Sequence, residues 1–318
     1  MVKSMISIVV PLYEEEQNVP LLVAEVADKL NAHDYELILV DDGSTDGTVA
    51  AARLARASDE RVVLVELRRN FGQTAAMSAG FERARGEFVV YMDGDLQTDP
   101  ADIPKLLQRL IDDDLDLVNG WRKDRQDASL SRNFPSKVAN ALIRRTTKVR
   151  MHDYGCPMKM MRVEVAKNLR IYGEQHRFIP ALADLYGARI GEEVVSHRPR
   201  QFGHSKYGIG RTIRVLVDLM LVVFFQRFTD RPLQLFGPVG LIALTSGLLI
   251  DLWLSVDKLF FAAELAARPM LQLGSLMIVL GILLFGIGLI LEMQTRTYYE
   301  ATGRNHYSVR KEPKKPKS

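Results

Sequence analysis

The sequence predicts an α/β domain with a mostly parallel sheet, followed by two membrane-spanning helices. Two observations support this prediction. Along the first 120 residues, short apolar runs alternate with stretches of helical period. Near the carboxyl end, two mostly apolar stretches are each ~20 residues or longer, which is enough to cross ~30 Å of hydrocarbon. The 318 residues leave room for one soluble domain of ~200 residues beside such a membrane module.

The alternation in the amino-terminal part gives four strand–helix units. Strands are expected at Ile6–Val10, Glu36–Val40, Val62–Leu67 and Phe88–Met92, and helices at Asn18–Leu30, Thr48–Ala57, Thr74–Arg83 and Ala101–Ile111. Alternation of this kind is typical of right-handed crossovers and a parallel sheet covered on both faces. Ligands of such sheets bind at the carboxyl ends of the strands.

The predicted membrane spans are Leu235–Leu254 and Met270–Met293, joined by a short connection at Ser255–Pro269 on the far side. Arg296 and the C-terminal lysines indicate that both termini lie on the cytoplasmic side. Asp251 is near the far end of its span, so we expect it to be exposed at the interface. Four glycines in the second span permit close helix packing: Gly274, Gly281, Gly286 and Gly288.

Two further segments combine cations with apolar residues at helical spacing, at about 130–149 and at 208–231. Both are predicted to be helices lying in the membrane interface; packing into the core is the alternative for each. The chain is therefore divided into a soluble domain at 1–207, an interfacial helix at 208–231, a two-helix hairpin at 232–295 and a basic tail at 296–318.

Composition excludes several classes of protein. The net charge is only +3, and we expect no nucleic-acid partner. The single cysteine, Cys156, excludes an internal disulfide, and the six histidines show no zinc-binding spacing. The first apolar run, Ile6–Val10, is broken by Pro11 and is too short for a signal peptide, so the domain is expected to stay in the compartment where it is made.

Polar residues follow three of the predicted strands. They are Tyr13 and Glu15 after the first, Asp41 and Asp42 after the second, and Asp93 and Asp95 after the fourth. Two carboxylates one residue apart repel each other unless a divalent cation lies between them and a charged oxyanion such as a pyrophosphate. Solvated surface acids are the alternative for such a pair. Three acidic strand ends on one edge favour a site that binds a base, a ribose and a metal.

Two nearby loops contain residues suited to phosphate or to turns. Arg68–Gln73 precedes a helix, and backbone amides with guanidinium groups suit a phosphate, although a solvated arginine pair is the alternative. Gly43–Asp46 has the composition of a turn and helix cap, which leaves Asp42 as the candidate ligand there.

These motifs resemble the inverting family-2 glycosyltransferases of the GT-A fold. The resemblance rests on Pro11, Tyr13, Glu15, Asp41–Ser44, Asp93–Gln97 and Pro100, and continues through Arg122, Arg125–Asp127, Asp153–Cys156, Arg177–Pro180, Phe202–Tyr207 and the paired spans. It is strongest to the branch that loads sugars onto polyprenyl phosphates, which includes dolichol-phosphate mannose synthase and the undecaprenyl-phosphate glucose and aminoarabinose transferases. It departs from the usual pattern at Glu14, where asparagine is usual, and at His204, where glutamate is common.

The resemblance implies a role for each candidate residue. Pro11, Tyr13, Glu15, Asp42, Asp93 and Gln97 would bind the nucleotide sugar; Asp95 and Asp93 would hold Mg²⁺ or Mn²⁺; Asp153 and Asp95 would be catalytic; Arg122, Arg200, Ser205 and Lys206 would hold the acceptor phosphate. A turn cap is the alternative for Asp153, and a membrane-surface lysine is the alternative for Lys206.

The chemistry agrees with simple charge arguments. A phosphate monoester has a second pKa near ~6, so a polyprenyl phosphate is mostly dianionic at neutral pH and is its own nucleophile. Asp153 would then orient the acceptor or a cation more than accept a proton. Departure of the nucleoside diphosphate needs cations, and bringing two anions together needs cationic walls, for which Arg122, Arg200 and Lys206 are suited.

The predicted function is therefore inverting transfer of a sugar from a UDP-sugar to undecaprenyl phosphate at the inner leaflet of the cytoplasmic membrane. The product would be a lipid-linked monosaccharide for envelope glycosylation or for lipid A or O-antigen modification, and the resemblance extends to relatives that form tetramers. Arg125–Asp127 and Asp153–Cys156 favour an aminoarabinose-type or uronic-acid-type sugar. A processive polysaccharide synthase would need a Gln-x-x-Arg-Trp motif and more spans. The alternatives of another class are a non-catalytic nucleotide-sugar-binding membrane protein and a component of a sugar-lipid flippase.

Overall fold

The computed structural model describes residues 4–123, 151–169, 171–173, 175–199, 231–261 and 269–302, together with 220, 221, 224 and 228. The predicted interfacial helix at 130–149, most of the one at 208–231 and the end of the basic tail lie outside the described residues. The described part forms two units, one before and one after residue 223.

The first unit is built on a seven-stranded mixed sheet. Its strands are β1 (Ile6–Leu12), β2 (Tyr35–Asp41), β3 (Val62–Glu66), β4 (Phe88–Tyr91), β5 (Leu117–Trp121), β6 (Lys159–Arg162) and β7 (Ile190–Val194). Its helices are α1 (Asn18–Lys29), α2 (Thr48–Ser58), α3 (Gln73–Arg83), α4 (Ile103–Asp112), α5 (Val163–Asn168) and α6 (Ile179–Leu185). Short 3₁₀ helices lie at Pro100–Asp102 and Gln175–Phe178.

The strand order is β3-β2-β1-β4-β6-β5-β7. Strands β1 to β4 are mutually parallel where they pair, which confirms the prediction from the alternating pattern. Strand β6 is inserted antiparallel between β4 and β5, so β5 runs in the same direction as β4. The carboxyl ends of β1, β2, β4 and β5 and the start of β6 therefore share one edge of the sheet.

The four predicted strand–helix units all form, and most boundaries differ by one or two residues. Strand β1 continues through Pro11 to Leu12. Pro11 is tolerated because its missing N–H would face β4, and the pairing of β1 with β4 has already ended at Val9. Apolar residues of both sheet faces form two buried clusters, one under α1, α2 and α4 and one under α3, α5 and α6.

The second unit contains two long helices, α7 (Leu233–Phe261) and α8 (Pro269–Thr302). Both are long and apolar enough to cross a membrane, and only 22% and 17% of the residues in their most apolar windows are buried. This low burial differs from that of a core helix in a soluble protein. Helix α7 ends later than expected, because Ser255–Phe261 contains no Gly or Pro to stop it.

Glycines allow the two long helices to approach closely. A Cβ at Gly240 would lie 2.8 Å from the carbonyl oxygen of Gly281, and one at Gly247 would lie 2.6 Å from that of Gly274. The predicted glycine packing of Gly274 and Gly281 thus occurs within this chain. Asp251, which we expect at the membrane interface, is half-buried in this helix pair and accepts a hydrogen bond from Ser275 Oγ at 3.3 Å.

Candidate active site

The acidic strand ends are neighbours in the structure. Strand β1 lies between β2 and β4, so the residues after these three strands converge on one edge, as the sequence predicts. Pro11 and Tyr13 are half-buried there. Glu15 holds the loop after β1, because its amide donates to Thr48 Oγ1 at 2.8 Å and its carboxylate accepts from the Asn18 side chain.

Asp42 anchors the loop that precedes α3. Its two carboxylate oxygens accept the amide N–H groups of Phe71, at 2.7 Å, and Gly72, at 2.9 Å. Burial raises the pKa of Asp42 above its ordinary value, and this effect outweighs the two amide hydrogen bonds, which lower it. A carboxylate oxygen has more than one lone pair, so this anchoring is compatible with a further hydrogen bond to a ligand.

Gly43 allows the same loop to lie close to the end of β2. It has a φ of +71°, and a Cβ there would lie 2.3 Å from the carbonyl carbon of Arg69. Glycine is therefore required for both its backbone conformation and this close approach. The contact places the basic loop 68–72 beside the predicted nucleotide-binding residue Asp42.

Asp93 is oriented by two neutral donors. Its Oδ1 accepts a hydrogen bond from Tyr91 Oη at 2.6 Å and another from Gln73 Nε2 at 2.8 Å. Tyr91 is the last residue of β4 and is buried, and Gln73 begins α3. Tyr91 carries no functional signal in the sequence because it lies in an apolar run, and Gln73 is predicted only as the end of the Arg68–Gln73 loop.

Asp95 is buried at the bend that follows β4. Only 6% of Asp95 is exposed, its Oδ1 accepts the amide of Gln97 at 3.2 Å, and the next residue, Leu96, has a φ of 60°. A non-glycine residue in this region is uncommon and marks a constrained loop. The loop thereby fixes the position of Asp95 relative to the end of β4.

Arg122 and Asp153 form a buried bidentate ion pair at the end of β5. Nε and Nη2 of Arg122 lie 2.8 and 3.2 Å from the two carboxylate oxygens of Asp153, and the side chains are 8% and 12% exposed. The Asn119 side chain also donates to the Asp153 carbonyl oxygen at 2.7 Å. The family resemblance implies a catalytic role for Asp153 and an acceptor-phosphate role for Arg122, and the structure joins the two side chains in one ion pair.

Lys159 is a functional candidate that is not among the residues predicted from the sequence. It begins β6, is only 2% exposed, and donates to the carbonyl oxygen of Cys156. Burial lowers the pKa of Lys159 to about 8, whereas the Asp153 and Asp93 carboxylates raise it. The signal available in the sequence was one lysine within the apolar run Met158–Met161.

The segment after β7 is tied to the Asp95 loop. The amide of Arg198 donates to the Gln97 carbonyl at 2.8 Å, and Thr98 forms an antiparallel bridge with His197. The Arg198 guanidinium also pairs with Glu25 and Asp99. Arg200, Ser205 and Lys206, which the sequence assigns to the acceptor phosphate, follow directly but lie outside the described residues.

The carboxylates after β4 suit a divalent cation that is completed by its substrate. Among the residues that the structure describes, no group of three or more His, Cys, Asp or Glu side chains could hold a metal by itself. Mg²⁺ is usually held by one or two carboxylates plus substrate phosphates, and Asp93 and Asp95 match that donor set. Asp95 and Asp93 would hold the ion only together with a diphosphate.

Comparison with known proteins identifies the class to which this fold and site belong. Residues 7–170 match the model of the glycosyl transferase family 2 domain. The sheet and its helices resemble crystal structures of glucosyl-3-phosphoglycerate synthase from Mycobacterium tuberculosis, with a TM-score of 0.54 at 16% identity for the complex with Mn²⁺, UDP and glucosyl-3-phosphoglycerate, over 70% of this chain and 80% of that chain. The fold is GT-A, and the chain belongs to glycosyl transferase family 2.

Curated relatives narrow the resemblance. The chain is 46% identical over 310 residues to a dodecaprenyl-phosphate galacturonate synthase of Rhizobium johnstonii, over 96% of this chain and 92% of that protein. It is 36% identical to an undecaprenyl-phosphate 4-deoxy-4-formamido-L-arabinose transferase of Shewanella sediminis, over 96% and 91%. The predicted resemblance to the polyprenyl-phosphate branch is therefore confirmed, and the protein is a glycosyltransferase.

Proposed function

We propose that the chain transfers one sugar from UDP to a polyprenyl phosphate, with inversion, at the cytoplasmic face of a membrane. The observation that supports this most strongly is the shared edge of the sheet. The Asp93 and Asp95 carboxylates after β4 and the Arg122–Asp153 pair after β5 lie at that edge, separated only by β6. One side suits a metal-bound diphosphate and the other suits an anionic acceptor.

The reaction is a single displacement at the anomeric carbon. An oxygen of the acceptor phosphate forms the new bond as the bond to the nucleoside diphosphate breaks, and the diphosphate leaves with the bonding electrons. The acceptor is mostly dianionic near neutral pH because its second pKa is ~6, so no side chain has to remove a proton. A divalent ion, when bound, would neutralise the charge that develops on the diphosphate.

The residues of the chain supply positioning and charge. Tyr91 and Gln73 fix one oxygen of Asp93, and the bend at Leu96 fixes Asp95. Asp153 holds the Arg122 guanidinium in one orientation, so that the cation is in place before the acceptor binds. Asp42 would hold loop 68–72 and bind the uracil and ribose.

We further propose that the sugar is a hexuronic acid, galacturonic acid in the first instance. The relative with 46% identity to this chain is a dodecaprenyl-phosphate galacturonate synthase. Two undecaprenyl-phosphate formamido-arabinose transferases are 36% and 34% identical to this chain. Helices α7 and α8 would anchor the enzyme, with both termini on the cytoplasmic side. The product would be a lipid-linked monosaccharide used in the cell envelope, for lipid A or O-antigen modification.

The test is transfer of radiolabelled sugar to undecaprenyl phosphate in detergent, with UDP-galacturonic acid, UDP-glucose and UDP-4-formamido-arabinose as donors. We expect a lipid-extractable product from the uronic acid donor, lost with chelator and in Asp95→Asn, and retained in the surface control Asp59→Asn. A product from another donor would support the glycosyltransferase activity and show that the transferred sugar is not galacturonic acid. No product from any donor with folded protein would favour a binding protein or a flippase component over an enzyme of this specificity.

A further inference from the structure

Lys159 lies between the two halves of the site. In the sheet it pairs with Tyr91 of β4 on one side and with Asn119 of β5 on the other. Tyr91 donates its hydroxyl to Asp93, and Asn119 donates its side-chain amide to the carbonyl oxygen of Asp153. Directly paired residues of neighbouring strands project from the same face of a sheet. Lys159 is thus flanked by one residue that contacts the donor-side carboxylate and one that contacts the acceptor-side carboxylate.

The environment of Lys159 is apolar except at this edge. Its neighbours in the chain, Met158 and Met160, are fully buried, and Lys159 itself is 2% exposed. A lysine is almost never buried to this extent unless it is paired. Its ammonium donates a hydrogen bond to the Cys156 carbonyl oxygen, and the Cys156 thiol stays neutral because burial raises the pKa of Cys156 to about 11. Among the charged groups that act on Lys159, the Asp153 and Asp93 carboxylates raise its pKa, whereas the Arg122 guanidinium lowers it.

The contact with Cys156 gives Lys159 a second, geometric effect. Cys156 closes the short turn that begins at Asp153, because its amide donates to the Asp153 carbonyl at 3.4 Å. Lys159 is therefore hydrogen-bonded to the last residue of the turn, Cys156, and the first residue of the turn, Asp153, forms the ion pair with Arg122. Displacing this turn would move the Arg122–Asp153 pair without any change in the residues of the pair.

We propose that Lys159 is a positioning residue that couples the two halves of the site, because it lies between Tyr91 and Asn119 in the sheet and holds the Asp153 turn in place through its hydrogen bond to the Cys156 carbonyl oxygen. This inference rests on the proposed function for its catalytic consequence and on the described contacts for its location. Lys159 is buried, so it acts through Asp153 and Arg122 and not by contact with the substrate.

The test is a double-mutant cycle with Lys159→Met and Asp153→Asn, scored by transfer kinetics, UDP affinity and the midpoint of thermal unfolding. We expect Lys159→Met to lower kcat by about 10- to 100-fold and to change the Kd for UDP by less than about 3-fold, because the nucleotide residues keep their anchors. In the Asp153→Asn background, Lys159→Met should have almost no further effect on kcat. Lys159→Arg, which keeps the charge, should recover kcat to within about 10-fold of the unmodified enzyme.

Arg162→Met is the matched control. It removes a cation from the other end of the same strand, where Arg162 pairs with Asp114 and Asp116. We expect it to lower the unfolding midpoint and to leave kcat unchanged. If Lys159→Met behaves in the same way, with a lower midpoint and normal kcat, the proposal is wrong. Effects of Lys159→Met and Asp153→Asn that multiply in full would also overturn it.

The unfolding midpoints separate this proposal from the proposed function. If the unmodified protein transfers no sugar, the proposed function fails. The coupling between Lys159 and Asp153 can still be measured from the unfolding midpoints of the two single variants and the double variant. The double variant Lys159→Met/Asp153→Asn should then lower the midpoint by less than the sum of the two single changes, because Lys159 and Asp153 hold the same turn. A midpoint lowered by the full sum of the two single changes would show that Lys159 and Asp153 are independent.

Discussion

Two edges of the same sheet use buried carboxylates in different ways. At the amino-terminal edge, the Glu36 carboxylate accepts hydrogen bonds from Ser7 Oγ at 2.6 Å, from the Arg85 amide at 2.7 Å and from Arg85 Nε at 2.9 Å. At the carboxyl edge, three buried polar atoms have no hydrogen-bond partner among the residues that the structure describes: Asp41 Oδ1, Thr98 Oγ1 and Asn119 Oδ1. By contrast, no buried side-chain oxygen of Ser7 or Glu36 lacks a hydrogen-bond partner in the described part of the chain.

The difference separates structural charges from functional ones. Buried polar groups in native proteins are nearly always hydrogen-bonded, so a cluster of exceptions needs an explanation. A carboxylate whose partners all come from the protein stabilises the fold, and a polar edge with remaining capacity is suited to a ligand. The Arg122–Asp153 pair is the intermediate case, because it is well paired yet lies at the carboxyl edge.

The largest effect on stability and transfer is expected from breaking the Arg122–Asp153 ion pair. Asp153→Ala leaves the Arg122 guanidinium buried without its bidentate partner, which should cost about 3–5 kcal/mol of stability and abolish transfer. In Arg122→Met/Asp153→Leu, most of the stability should return because neither charge of the pair is left buried without its partner, while transfer stays absent. Denaturant unfolding and the transfer assay measure the two quantities. Recovery of transfer in the double variant would show that the pair is only structural.

The next largest effect is a loss of stability on replacing Glu36 at the amino-terminal edge of the sheet. Glu36→Gln should cost about 2–4 kcal/mol at neutral pH with kcat unchanged, because it weakens a buried network far from the site. Burial alone would raise the pKa of Glu36, but the hydrogen bonds from Ser7 and Arg85 outweigh it and lower that pKa below 4.5. The stabilisation from the ionised group is therefore complete above pH ~5 and is lost as the pH falls through the lowered pKa. Unfolding of both proteins from pH 7 to pH 3 should show the difference shrinking at the acid end, and a constant difference would contradict this account.

A smaller effect is expected at the tie between Arg198 and the Asp95 loop. Arg198→Met removes the ion pairs with Glu25 and Asp99, but Arg198 is one-third exposed, so the stability cost should be only about 1 kcal/mol. Because the lost Asp99 pair helps to hold the loop that follows Asp95, kcat/KM should nevertheless fall by about 3- to 10-fold. Glu25→Gln, which leaves the Asp99 contact, should give a smaller fall. Unchanged kinetics in Arg198→Met would remove the tie from the functional account.

The smallest expected effect is an increase in stability on replacing Glu14. Glu14 has a φ of 53°, in the left-handed region that asparagine occupies more readily than glutamate. Glu14→Asn should therefore raise the free energy of unfolding by about 0.5 kcal/mol, although it shortens the side chain that accepts a hydrogen bond from Thr45. Chemical denaturation measures the change. A loss of stability would mean that the Thr45 contact outweighs the relief of backbone strain.

The first four strand–helix units were predictable because each contains a buried strand and an amphipathic helix with its own local period. Strand β6 was not, because it has only four residues and pairs antiparallel with strands distant in sequence. For the same reason Lys159 was missed, since its position between β4 and β5 follows from that pairing. The joining of Arg122 to Asp153 spans 31 positions of sequence, and no local pattern encodes such a contact.

The most direct test compares one carboxylate from each edge. Asp95→Asn and Glu36→Gln should be assayed side by side for transfer of labelled sugar to undecaprenyl phosphate and for thermal unfolding. We expect Asp95→Asn to lose at least ~10²-fold in transfer with an unfolding midpoint close to that of the unmodified protein, and Glu36→Gln to show the reverse. Full transfer by Asp95→Asn, or a loss of transfer by folded Glu36→Gln equal to that of Asp95→Asn, would contradict the division between the two edges.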